Sequence, residues 1–134
     1  MADDREELTE IQGNWYGVMV HYPSRGIIHA SFQAEGESFA GEWDFPTLSG
    51  GAGRHGRFVA TRFANWLNIR IKTAPLKDVQ FQIAILHEKG QTMLTGVVPL
   101  QTEKIPFLTV TLFRYPPPEF EITGVCPLIQ LHRK

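Results

Sequence analysis

From residue 11 to residue 114 the chain repeats one pattern eight times, a short run of alternating apolar and polar residues, and all the links between runs are hairpin length except one. Alternation with a period of two marks a strand with one buried face. Phe39, Gly41, Trp43 and Phe45 share a face against Ala40, Glu42 and Asp44; Leu67, Ile69 and Ile71 oppose Asn68, Arg70 and Lys72; Val79, Phe81, Ile83 and Ile85 oppose Gln80 and Gln82. The runs predict strands at roughly 11–22, 26–34, 37–45, 56–64, 66–73, 78–87, 91–99 and 105–114. Turn residues stand between them, as "PSRG" at 23–26, "AEGE" at 34–37, "AN" at 64–65, "APLKD" at 74–78, "EKG" at 88–90 and "QTEK" at 101–104. Only the acidic lead-in through "TEIQ" reads as helix, and as a single turn.

Strands joined by hairpins, with no helices to form a second layer, hide an apolar face by closing on themselves or by folding into two facing sheets. Closure also removes unpaired edges. The predicted fold is therefore all-β, an eight-stranded antiparallel up-and-down barrel in one domain: a short segment at 1–10, the barrel at 11–114 and a Pro-rich extended tail at 115–134. An eight-stranded barrel is wide enough inside for packed side chains or for one small ligand.

Apolar residues make up 43% of the chain and charged residues 20%, which suits one core in a globular domain and excludes a chain disordered throughout. Thirteen Lys and Arg against 14 Asp and Glu give a net charge of -1, so nothing global attracts nucleic acid or an anionic membrane. Cys126 is the single cysteine, which rules out an internal disulfide, and no Cys/His spacing suits zinc. No metal or cofactor is predicted. The opening "MADDREELTE" lacks the basic start and apolar run of a secretory signal, and no segment approaches the ~20 apolar residues of a membrane helix. A cytoplasmic protein is expected.

The stretch "ELTEIQGNWYGV", residues 7–18, resembles the lipocalin signature: a polar lead-in, Ile11, Gly-x-Trp at Gly13 to Trp15, then Tyr16 and Val18. The wider calycin group, which includes avidin-like and fatty-acid-binding proteins, shares this opening. The resemblance implies that Trp15 closes the barrel base and that Arg114, in "TLFRYPP", packs on it. A guanidinium stacked on an indole, with its donors free for nearby carbonyls, makes a physically reasonable seal. The chain departs from the family in lacking a Thr-Asp-Tyr motif, a long C-terminal helix, a disulfide pair, a helical lid and a recognisable biotin site. The resemblance thus implies the fold and leaves the ligand open.

On the predicted inner face, Met19, Phe32, Phe39, Trp43, Phe45, Phe81 and Leu108 would line a wall for a ligand. Arg62 alternates with Phe58 and Ala60, and would enter the cavity as an anion anchor or reach to the rim. Alternation from Trp15 sends Met19 and His21 inward, so His21, with Tyr22 beside it, is the candidate acid or base at the open end. His87 reads as a solvated strand end, and the Gly-rich "PTLSGGAGRHGR" at 46–57 as a hairpin loop or a gate. No Ser/His/Asp order, Cys/His pair or phosphate loop can be assembled.

Three functions follow from this reading. The first is binding of one small hydrophobic or amphipathic molecule inside the barrel. The second is a cyclase or isomerase that shapes a hydrophobic substrate in the same cavity, since catalysis by confinement needs no motif. The third is a packed barrel acting as an interaction module, with residues 115–134 available for a homodimer contact.

Overall fold

The computed structural model describes residues 4–21, 24–45, 55–74, 76–100 and 106–115. One helix, α1 (Asp4–Ile11), precedes eight strands: β1 (Gly13–His21), β2 (Ser24–Glu35), β3 (Ser38–Asp44), β4 (His55–Phe63), β5 (Trp66–Ile71), β6 (Gln80–Glu88), β7 (Gln91–Pro99) and β8 (Phe107–Phe113). Each strand pairs antiparallel with the next, and β1 pairs with β8, so the sheet is a closed meander barrel. The all-β, eight-stranded, up-and-down architecture expected from the alternation is the one observed.

Local chemistry accounts for the links at one end. The two-residue connections between β2 and β3, β4 and β5, and β6 and β7 contain Gly36, Ala64, and Lys89 with Gly90, all at positive φ. That backbone handedness matches the twist of the flanking strands in a tight hairpin. These three hairpins and α1 mark the closed end of the barrel. The opposite end carries the two-residue link between β1 and β2 and the three longer connections, of which residues 46–54 and 101–105 lie outside the described residues, as do Tyr22 and the tail from 116 onward with Cys126.

Several boundaries differ from those expected. The helix runs for 8 residues instead of a single turn and takes Ile11, which was expected to open the first strand. Ile11 is fully buried there, so the end of the helix is held by packing rather than by propensity. Ser24 to Gly26, expected in a turn, pair with His21 to Met19 and lengthen β2. No helix among the described residues is long and apolar enough to cross a membrane.

Closure rests on a close backbone approach. Across the β1–β8 seam the register runs from Tyr16 opposite Phe113 to Val20 opposite Thr109. A Cβ built on Gly17 would stand 1.8 Å from the Thr111 carbonyl oxygen, so only glycine lets the two strands meet at that spacing. Gly17→Ala should therefore destabilise the barrel by about 3 kcal/mol or more, because the obstacle is backbone and cannot rotate away. Urea unfolding measures this, and a loss below about 0.5 kcal/mol would mean that the seam is not packed as described.

Candidate functional site

The closed end is built around the last carbonyls of α1, which a helix leaves without partners of its own. Trp15, fully buried on β1, donates its indole N–H to the Ile11 carbonyl at 2.7 Å. Arg114, just past β8, donates to the Gln12 carbonyl and, at 3.4 Å, to that of Ile11. Its guanidinium carbon lies 4.8 Å from the centroid of the Trp15 ring. A cation at a helix C-terminus is favoured by the helix dipole as well as by these hydrogen bonds. Gly13 has φ of +112°, and a Cβ there would approach Arg114 Nη2 to 3.0 Å, so the glycine both turns the chain and leaves space for the guanidinium.

Glu10 ties the same helix to two further strands. Its carboxylate accepts from Arg62 Nη1 at 2.8 Å and pairs with His87 Nε2 at 2.9 Å. Burial pushes the Glu10 pKa upward, but the hydrogen bonds from His87 and Arg62 and the charge of Arg62 outweigh it, and the net shift is below the ordinary 4.5. Arg62 also donates from Nε to the Ala64 carbonyl at 2.9 Å. Arg62 thus sits at the closed end and neither enters the cavity nor reaches the open rim. Alternation does turn it inward, but β4 runs toward the closed end and Arg62 is near its finish. His87, expected to be solvated, is only half exposed and engaged for the same reason.

Above this base the side chains do not fill the barrel. A cavity of about 110 Å³ lies in the half nearer the long connections, and every described residue that lines it is apolar. Met19, Phe32, Trp43, Phe45, Phe81 and Leu108 line it, as do Phe58, Ile69, Ile71 and Ile83 from β4, β5 and β6. Phe39 does not: it is buried at the closed end, where β3 begins, and packs edge-on against Phe32. His21 is half-buried at the far end of β1 and is not among the described lining residues.

One wall of the cavity has a particular shape. Trp43 stands opposite Gly56, and Phe58 opposite Gly41, on the paired strands β3 and β4. A Cβ on Gly56 would fall 2.3 Å from Trp43 Cζ2, and one on Gly41 would fall 2.2 Å from Phe58 Cζ. Each ring therefore lies down on the glycine across from it. The two rings end up nearly parallel, at 13° with centroids 6.3 Å apart, and Phe32 meets Phe58 edge-on at 5.0 Å. Trp43 Nε1 is buried without a hydrogen-bond partner, the one such side-chain atom among the described residues. Leaving a buried donor unpaired costs about 1–3 kcal/mol.

Phe58 and the isoleucines escaped the sequence reading although alternation marked them as inward. The missing step was strand polarity, which decides whether an inward residue lies at the base or in the upper half. Together these features define a closed antiparallel barrel, sealed at one end by a helix and hollow at the other. No family model matches the chain, and no curated protein matches its sequence.

The Glu10 cluster yields a pH prediction. A carboxyl whose pKa is lowered by folding stabilises the fold above its ordinary value, and that contribution is lost as the pH falls through the lowered one. The unfolding midpoint should drop on acidification below about pH 4.5 in the native protein. Glu10→Gln should lower the midpoint at pH 7 and flatten its acid dependence. Equal acid slopes in the two proteins would rule out this anchoring role.

Proposed function

We propose that the protein binds one small, neutral, ring-shaped molecule in the upper half of a lipocalin-like, calycin-type barrel. The observation that carries this reading is the 110 Å³ cavity, whose described lining residues are all apolar. Dry cavities of about 150 Å³ in other proteins take up benzene or xenon, so a cavity somewhat smaller than that suits a single small ring with at most one small substituent. It does not suit a long chain or a fused polycycle.

Charge narrows the class further. No cationic side chain lines the cavity among the described residues, so a carboxylate drawn inside would be buried unpaired, which is strongly unfavourable. Fatty acids are poor candidates on this ground, and neutral aromatics are good ones. The flat Trp43–Phe58 wall favours a planar ring by offset stacking. An acceptor atom on the ring would be the natural partner for Trp43 Nε1. The calycin-type reading draws support from Trp15, Gly13 and Arg114 at the base and from the closed meander.

Turnover has less support. No acid, base or nucleophile stands among the described lining residues, so a cyclase or isomerase here would act by confinement alone. Binding accounts for every described feature of the cavity.

Burying ~200 Å² of ring surface at ~25 cal/mol per Å² gives ~5 kcal/mol, a dissociation constant on the order of 0.1–1 mM. Calorimetric titration should show toluene or benzaldehyde binding in that range and benzoate and laurate not binding. Ala30→Leu, which extends a side chain into the cavity, should weaken binding at least tenfold without lowering the unfolding midpoint. Absence of any binding at 5 mM, or benzoate binding as tightly as toluene, would overturn the proposal.

A further inference from the structure

The chain has three tryptophans, and each indole is placed differently. Trp15 is fully buried and donates its N–H to the Ile11 carbonyl at 2.7 Å. Trp66 is 46% exposed on the outside of the barrel. Trp43 is buried, and its Nε1 bonds to nothing. Folded proteins leave few buried donors unmatched, so each case needs a physical reason.

Packing does not supply one. The Trp43 ring lies on Gly56 and stacks on Phe58. A phenylalanine at 43 could stack there without burying a donor. Thr73 Oγ1, also close to Gly56, accepts from the Arg57 amide at 3.0 Å and leaves the indole unpaired. Position does supply a reason. The Trp43 side chain lines the cavity, and Nε1 is the one nitrogen or oxygen in any described lining side chain. An indole nitrogen donates and cannot accept. The described lining therefore offers a ligand one donor and no side-chain acceptor.

We infer that Trp43 Nε1 selects the ligand by its polar atom: the preferred occupant is a neutral ring whose single polar group accepts a hydrogen bond and donates none, as in an aryl aldehyde or an aza-arene. The inference rests on the reading of the cavity as a site for one small ring. An acceptor on that ring takes up an N–H that breaks no protein bond to receive it. A plain hydrocarbon leaves the donor unpaired. A phenol or an aniline satisfies it but carries a donor of its own into a space whose described side chains hold no acceptor. A buried polar group left unpaired is what lets a site reject a ligand of nearly the same shape.

Calorimetry and the Trp43 indole N–H resonance of the 15N-labelled full chain test this together. Benzaldehyde should move that resonance downfield, and toluene, similar in shape, should not. Trp43→Phe should weaken benzaldehyde binding about fivefold more than toluene binding, the size of one neutral hydrogen bond. Phenol should bind the native protein about tenfold more weakly than benzaldehyde does. Failure of toluene to bind overturns the cavity reading and this inference with it. If toluene binds, a Trp43 resonance indifferent to benzaldehyde overturns the acceptor preference alone. Phenol binding as tightly as benzaldehyde, or equal losses for toluene and benzaldehyde in Trp43→Phe, overturns it as well.

Discussion

Everything in this barrel depends on the meeting of the first strand, the last strand and the helix at Trp15. The indole alone would only fill space. Its N–H and the Arg114 guanidinium together take up the carbonyl of Ile11, the last residue of α1, and that of Gln12 just past it, so the helix cannot leave the base without exposing both. The contact joins residues about a hundred positions apart in sequence, Ile11 and Arg114. Gly17 makes the same junction possible a turn of the chain later, by letting β1 lie against β8. Gln12 adds a further tie by accepting from the Ala34 amide on β2 at 3.1 Å.

With stability concentrated at the closed end, the upper half can remain underpacked. Trp15, Phe39, Leu67 and Leu94 are all but fully buried and crowd the lower barrel. Above them Gly41 and Gly56, each opposite a ring on the neighbouring strand, thin the wall, since Trp43 and Phe58 lie against backbone instead of projecting to the centre. A methyl group at either glycine would push its ring inward and reduce the space. The hollow thus follows from two glycines that sit in register with two aromatic rings, and not from a lack of large residues. Sites of this kind carry their cost in lost packing and in an unpaired donor, and depend on the rest of the fold to bear it.

Much of the fold was legible because a period of two is hard to mistake over strands of six to twelve residues. The helix was less so: its eight residues have little apolar periodicity, and it is held by Ile11, Glu10 and the base of the barrel, contacts that lie far apart in sequence. The cavity wall was partly legible for a different reason. Alternation told inward from outward correctly for Arg62, Phe39 and Phe81, but height along the barrel axis requires the direction of each strand. Phe81 begins β6 at the open end and lines the cavity, whereas Phe39 begins β3 at the closed end and does not. The partnership of His87 with Glu10 could not be read at all, because it joins positions 77 residues apart through a helix whose docking was unknown.

The claim on which the functional reading stands is that the upper barrel holds a dry, accessible hollow. Xenon enters such cavities and scatters strongly enough to be located in a pressurised crystal. A single xenon peak bounded by Phe32, Phe58, Ile83 and Val110 is the expected result. A crystal that shows no xenon there, with the Trp43 or Phe81 ring occupying the space, would contradict it.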